Sequence, residues 1–208
     1  MTSPRAIVPL LAAGLALLLA GCTTLSPPAP VSYRLELDPA TVPTLPPQGG
    51  VLRLARPQAE AGADTRGIAY RTAPHQIRYY TRSRWADTPP RMLAAVLAAA
   101  LERSGLFAAV VDDGRLAADY LLTTQLLRLE QIVTEDGAGA FLLRLRMQLI
   151  RLPERSLLGS WLIETQAPTT ADDAAAGVAA ANQALAQAVV EALRSIATAV
   201  GAAPGPGR

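Results

Sequence analysis

The stretch "YLLTTQLLRLEQIVTEDGAGAFLLRLRMQLIRL", residues 120–152, contains two apolar runs separated by a polar turn. In 120–133 and 141–152 the apolar side chains alternate with others, which is typical of strands with one buried face. The segment "EDGAG" (135–139) has the acidic and glycine residues that favour a hairpin turn. The alternation changes phase at Leu126 and Leu127, which predicts a β-bulge. We therefore predict a long antiparallel hairpin, which the segment 157–166 extends into a meander.

Shorter alternating segments precede this hairpin. We predict strands at 33–37, 51–57, 67–72, 75–85 and 106–111. A proline-rich loop separates the first two of them, because proline cannot donate to a ladder and punctuates regular structure. The domain thus begins with strands.

Two segments change to the helical period. In 89–104 an apolar stripe follows a start signal in which Asp87 or Thr88 can cap and Pro89 and Pro90 suit the first turn. Gly105 is expected to end this helix in a left-handed conformation. A second amphipathic helix is predicted at about 171–200, with carboxylates in its first turn. The predicted fold is α+β: a single domain in which two main helices pack on one face of a mostly antiparallel sheet.

The only cysteine of the chain, Cys22, follows an apolar run in "LLLAGCTT" (17–24). A lone thiol can be a core residue, a nucleophile or an attachment point. Before it lie one positive charge, Arg5, and an apolar segment too short to span a bilayer, which is the layout of a secretory signal. Residues 19–22, Leu-Ala-Gly-Cys, resemble the lipobox of bacterial lipoproteins. The resemblance implies cleavage before Cys22 and a lipid on its sulfur.

This interpretation divides the chain into four parts. Residues 1–21 are the predicted signal peptide, 22–32 a lipidated N-terminus with a proline-rich tether, 33–200 the folded domain and 201–208 a disordered tail. Nine residue steps separate Cys22 from Val31, which allows a reach of about 30 Å. Lipoproteins retained in the inner membrane usually carry aspartate after the cysteine, whereas this chain has Thr23 and Thr24. The resemblance therefore implies an outer-membrane anchor with the domain facing the periplasm.

Composition argues against several classes of function. The chain has 19 basic and 17 acidic residues, and loss of Arg5 with the signal peptide leaves 18 basic residues, so no positive surplus points to nucleic acid. His75 is the only histidine, and no nucleophile, phosphate-loop or zinc motif occurs. We therefore predict no catalytic residue, metal or cofactor. A lipid-modified hydrolase that uses carboxylates alone stays open as an alternative.

One strand has an unusual density of arginine. In "QIRYYTRSRW" (76–85), alternation assigns Arg78, Tyr80, Arg82 and Arg84 to one face and Ile77, Tyr79, Thr81 and Trp85 to the other. The first set is either a solvated face over a core made by the second, or a basic stripe that meets lipid phosphates or an acidic protein. We treat these four residues as a candidate interface.

The order of motifs is similar to that of a known family. "YYTRSRWADTPPRM", then "LERSGLFAAV", then "ADYLLTTQLLRLEQ", placed behind a lipobox, resemble the PqiC-like ABC-type transport auxiliary lipoproteins over about 33–200. The most informative positions are Trp85, Asp87, Pro89, Pro90 and Gly105. They end a strand and begin and end a helix, so we interpret them as determinants of the fold.

The resemblance implies a non-enzymatic periplasmic component of a lipid-transport system. Such proteins accompany MCE-domain proteins, which form conduits between the two membranes, and an ABC transporter permease and ATPase act indirectly at the inner membrane. The expected role is that of an anchored adaptor, and a homo-oligomer stays open. The alternative from the same compartment is an accessory lipoprotein for outer-membrane assembly or secretion.

Overall fold

A computed structural model describes residues 29–134 and 139–202. The predicted signal peptide, Cys22 and most of the tether lie outside the described residues. So do positions 135–138 of the predicted hairpin turn and positions 203–208 of the predicted tail.

The described residues form one mixed sheet and two helices. The strands are β1 (Val31–Tyr33), β2 (Val51–Leu54), β3 (Gln58–Ala59), β4 (Gly67–Arg71), β5 (Arg78–Trp85), β6 (Ala109–Val111), β7 (Tyr120–Val133), β8 (Gly139–Arg151) and β9 (Ser156–Thr169). The helices are α1 (Pro89–Ser104) and α2 (Ala174–Ala202), and a short 3-10 turn covers Pro39–Thr41.

The predicted meander is confirmed and forms the longest part of the sheet. β7 pairs antiparallel with β8 over their whole lengths, and β8 pairs antiparallel with β9. The β7–β8 register passes from Leu126↔Leu145 to Arg128↔Arg144, which leaves Leu127 without a partner. This extra residue is the bulge that the phase change predicted.

Short parallel strands complete the other side of the sheet. β2, β3 and β4 lie one after another along the second edge of β7, all parallel to it. β5 and β1 continue the sheet beyond β4, and β6 continues it beyond β2. α1 connects β5 to β6, which pairs parallel with β2 at the far end of this side of the sheet. The longest ladders are antiparallel, as predicted, but the sheet is mixed.

Both helices contribute to a single hydrophobic core. α2 packs on β8 and β9, and α1 contacts α2, β6 and β3. The core is centred on Trp85, Leu97, Leu122, Phe141 and Leu185, each at most 2% exposed. Burial of a side chain of this size stabilises the fold by about 1.5–3 kcal/mol. Packing of the helices against the sheet therefore contributes much of the protein's stability.

The bounds of α1 agree with the sequence signals. Thr88 has extended backbone angles and precedes Pro89 and Pro90 in the first turn, and Gly105 has a left-handed φ of 69°. α2 begins at Ala174, later than predicted, because Asp173 is its cap: the Ala176 amide donates to Asp173 Oδ1 over 2.8 Å. Its last two residues, Gly201 and Ala202, belong to the segment that composition assigned to the tail.

Several strand bounds differ from the prediction. The strand expected at 33–37 lies instead at Val31–Tyr33 and shares only Tyr33 with the prediction, although Leu35 is buried. The strand expected at 51–57 ends at Leu54, and the two-residue strand β3 was not predicted. Strands this short contain too few residues to show the alternation of buried and exposed side chains in the sequence.

Candidate interaction surface

The arginines of β5 are exposed, but the strand does not have the two faces that simple alternation assigns to it. Arg78, Arg82 and Arg84 are exposed. On the supposed core face only Trp85 is buried, whereas Ile77 and Tyr79 are 48% and 38% exposed. The proposed division into a solvated face and a core face is therefore wrong for most of the strand.

Tyr80 belongs to the core side of the sheet. Its hydroxyl lies 3.0 Å from Gln131 Oε1, and its ring centroid lies 4.7 Å from that of Tyr70. Burial raises the pKa of Tyr80 to about 12, and the nearby Asp172 carboxylate adds to this shift. The phenol thus stays neutral and connects β5 to β7 near the start of α2.

A register shift explains why Tyr80 does not lie on the same face as the arginines of β5. β4 and β5 pair through Gly67↔Arg84 and then through Ala69↔Tyr79, so β5 has additional residues between these pairs. Tyr80 and Trp85, five positions apart, can therefore both contact the core. With Trp85 directed to the core, alternation places Arg84 and Arg82 on the opposite face.

These two arginines lie beside the segment through which the chain enters the domain. β1 is parallel to β5, with Val31 opposite Ser83 and Ser32 opposite Arg84. Arg84 Nε lies 3.4 Å from Ser32 Oγ. The positive end of β5 is consequently adjacent to the N-terminal strand that follows the tether.

An apolar groove lies next to the same entry strand. It has a volume of about 980 Å³ and runs between the extended chain after β1 and α1. Leu35 and Leu37 line one wall, and Met92 and Val96 line the other. Arg103 on its rim donates from Nε to Pro39 O over 2.8 Å, which fixes the 3-10 turn on the helix. Local sequence patterns do not predict this groove, because its two walls come from segments that are far apart in the chain.

A group of charged residues lies on the sheet face opposite the helices. Glu130, 10% exposed at its side chain, has Arg71 Nε at 3.3 Å and Arg128 Nη1 at 3.1 Å. Only the contact with Arg128 has hydrogen-bond geometry, since Arg71 Nε has no hydrogen-bond partner. His75, in a left-handed loop conformation with a φ of 61°, lines a cavity beside this group. Because both arginines pair with this one carboxylate, we interpret the group as ion pairs that stabilise the fold.

The residues of the family resemblance have structural roles in this fold. The Trp85 amide donates to Arg66 O over 2.7 Å, and Asp87 Oδ1 accepts from the Thr88 amide over 2.7 Å. Asp119 connects β2 to β7, because its Oδ2 accepts from the Val51 amide over 2.7 Å. Phe107 packs on Tyr120 with ring centroids 5.4 Å apart. These contacts determine how strands and helix join.

The described residues contain no cluster of metal ligands, and their longest helix is a core helix. Within 29–134 and 139–202, no group of three or more histidine, cysteine or acidic residues is arranged to hold a metal ion. α2 is long and apolar enough to cross a membrane by length and composition alone. Its apolar side, however, packs on β8 and β9, as expected for the core helix of a folded domain.

Comparison with known proteins supports the fold and the family. Protein XCC0632 from Xanthomonas campestris, a DUF330 protein, is 27% identical with a TM-score of 0.67, over 82% of this chain and 94% of its own. The hypothetical protein CT253 from Chlamydia trachomatis is 8% identical with a TM-score of 0.53, over 74% of this chain and 99% of its own, and shows the fold alone. A search of the curated proteins finds no match.

The family comparison covers most of the domain. The model of the ABC-type transport auxiliary lipoprotein component matches residues 33–192, from the end of β1 to Ala192 within α2. This range includes the strand–helix junction at Trp85 and the whole β7–β9 meander. The chain belongs to the ABC-type transport auxiliary lipoprotein family.

Proposed function

We propose that this protein is an outer-membrane-anchored periplasmic adaptor of an MCE-type lipid-transport system. The lipid on Cys22 holds the domain at the inner leaflet of the outer membrane, and the domain receives or docks an MCE-domain conduit there. The ABC transporter permease and ATPase act indirectly, from the inner membrane. The role is non-enzymatic and requires no cofactor.

The family supports the transport role, and the β1–β5 contact is the structural observation that carries the adaptor proposal. The tether enters the domain at Val31, directly opposite Ser83 of β5. Arg82 and Arg84 are exposed on that strand. A short tether therefore keeps a positive surface close to lipid phosphates, where arginine binds well. Anchoring also raises the local concentration of the domain, so docking does not need a tight pairwise contact.

The proposal is tested by crosslinking in intact envelopes. The lipidated protein is crosslinked, purified in detergent, and its partners are identified by mass spectrometry. Recovery of an MCE-domain protein supports the adaptor. Recovery of outer-membrane assembly or secretion components, without an MCE-domain protein, would favour the accessory lipoprotein instead.

The anchor has its own test. Cys22→Ala removes the sulfur that receives the lipid, so we expect unprocessed precursor at the inner membrane. A matched variant, Thr23→Ala, keeps the cysteine and is expected to reach the outer membrane in mature form. Mature Cys22→Ala protein in the outer-membrane fraction would contradict the anchor, whatever the crosslinking shows.

A further inference from the structure

The last strand of the meander, β9, has one edge that no other described element covers. β9 is 14 residues long and pairs only with β8. In the described part of the chain, residues 156–169 make no backbone hydrogen bond with an element other than β8. At about 3.4 Å per residue, this leaves about 45 Å of unpaired edge.

Exposed edges of this length are usually protected. Natural sheets shorten them, place charges or proline on them, or cover them. The opposite side of this sheet follows the rule, because β1 and β6 have only three residues each. β9 has one charged residue, Glu164, and its one proline, Pro168, is next to its end. A bulge at Leu158 interrupts its pairing with β8 near its start, but from Gly159 to Thr169 the pairing is continuous. Its side chains Leu157 and Leu162 are 57% and 59% exposed, so the edge is also apolar.

A cleft runs beside this edge. Its volume is about 490 Å³, and it lies between the first half of β9 and the last turns of α2. Leu158 and Trp161 line it from the strand, and Ser195 and Thr198 line it from the helix. A strand edge next to a helix is a geometry that binds extended peptides, since the edge pairs with the backbone and the cleft takes alternate side chains.

The charge of the cleft identifies the kind of peptide. Arg194 is the one charged residue in its lining, and none of the ion pairs between described residues involves it. A second copy of this chain is a poor match. Its β1 and β6 are too short, and the only carboxylate of its β9, Glu164, already pairs with Arg144. The occupant is therefore a different protein with a free carboxylate.

We infer that the free edge of β9 binds an extended segment of a partner protein, which adds one strand and places an acidic side chain against Arg194. The segment has apolar or β-branched side chains at alternate positions, because these fit the cleft and the exposed leucines. This inference does not depend on the transport proposal, since any partner with such a segment satisfies it.

A displayed library of linear 12-residue peptides tests the inference. Selection uses the full-length lipidated chain in detergent, in parallel with Arg194→Glu and with Arg56→Glu as a matched charge control, since Arg56 is exposed and lies outside the cleft. We expect peptides with one acidic residue from the native chain and from Arg56→Glu, and a basic residue at that position from Arg194→Glu. Reversal of the charge should weaken a native binder about tenfold, as loss of one surface ion pair and its replacement by repulsion implies.

Two further measurements locate the binder. Amide hydrogen exchange should slow in residues 156–169 when the peptide binds. Because a strand pairs through alternate amides, N-methylation of one alternating set should abolish binding, and methylation of the other set should not. Absence of selected peptides, protection of another surface, equal effects of both methylated sets, or protection of β9 by self-association without peptide would each overturn the inference.

Discussion

Gly177 of α2 packs directly against the side-chain amide of Gln131 on β7. This amide fills the space that a β-carbon at position 177 would need. Gln131 is fully buried. Its Oε1 accepts from the Tyr80 hydroxyl over 3.0 Å, and its Nε2 donates to Ala171 O over 3.3 Å. The lack of a side chain at Gly177 thus allows the start of α2 and the strands β5 and β7 to meet around the Gln131 amide, whose oxygen and nitrogen both have hydrogen-bond partners.

We expect Gly177→Ala to destabilise the protein, although alanine is the better helix former. The new methyl group must displace Gln131 and break its hydrogen bonds, which costs about 1–3 kcal/mol against a helix gain of about 1 kcal/mol at most. Urea unfolding followed by circular dichroism measures the net loss. Gly201→Ala in the same helix is the control, because its β-carbon would have the nearest atom at 3.6 Å. Equal stability of the two variants would contradict the close approach.

The end of α1 gives a second glycine comparison. Gly105 has a φ of 69° with open space around its missing β-carbon, so Gly105→Ala is strained by backbone conformation alone, by about 1 kcal/mol. Gly114 has equal space and no positive φ. We therefore expect Gly114→Ala to be neutral or slightly stabilising. Thermal unfolding of both variants measures the difference, and a stable Gly105→Ala protein would show that the left-handed cap is dispensable.

The parts of the fold that the sequence predicts well are those with many residues per element. The 14 residues of β7 and the 16 residues of α1 show their periods clearly, and even the bulge at Leu127 appears as a change of phase. The parallel pairing of β2, β3 and β4 on β7 is not encoded in any local period, because partners lie more than 60 positions apart.

Prediction of the candidate interaction surface is limited in the same way, because it depends on residues that are distant in the sequence. Arginine identity and exposure on β5 are predictable, but the register shift opposite Gly67 depends on β4. Alternation alone therefore assigned Tyr80 to the arginine face. The groove beside α1 and the cleft beside β9 need the assembled fold, since each has walls from two distant elements.

Removal of Glu130 should destabilise the protein more than removal of an exposed partner. Glu130→Ala leaves Arg71 and Arg128, whose side chains are 26% and 47% exposed, without the carboxylate that they share. Because water still solvates part of each arginine, we expect a loss of about 1–2 kcal/mol. Asp113, whose pKa is lowered by its hydrogen bonds with Arg115, pairs with a side chain that is 90% exposed. Asp113→Ala should unfold like the native protein in urea. Similar losses in the two variants would mean that the Glu130 pairs are solvated.

The raised pKa of Tyr80 predicts an alkaline loss of stability. The unfolded phenol ionises near its ordinary pKa of 10.0 and the folded one near 12, so the folded state retains a proton that the unfolded state releases. The free energy of unfolding should therefore decrease as the pH rises through this interval. Tyr80→Phe should have a smaller decrease between about pH 9 and about pH 11. Tyr79→Phe, which removes a hydroxyl that donates to Gly62, is the control and should keep the native slope.

The proposed membrane-facing side of β5 can be tested in the anchored protein. The lipidated full chain is inserted into vesicles of phosphatidylcholine, with or without anionic phosphatidylglycerol, and treated with an arginine-modifying dicarbonyl reagent. Because the tether enters at β1, beside Arg82 and Arg84, we expect these two arginines to react about fivefold more slowly on anionic vesicles, as about 1 kcal/mol per arginine near such a surface implies.

Two exposed arginines outside β1 and β5, Arg56 and Arg155, supply the internal control for that measurement. Their rates should not depend on the lipid, since they belong to segments that pair with neither strand. The protection of Arg82 and Arg84 should also disappear in about 1 M salt, where the screening length is about 3 Å and the attraction to the surface is lost. Protection that persists in salt, or that is the same at all four arginines, would mean that the membrane covers the domain without regard to charge. Equal rates on both kinds of vesicle would remove the arginines of β5 from the anchoring surface and leave Cys22 as the sole membrane contact proposed for this protein.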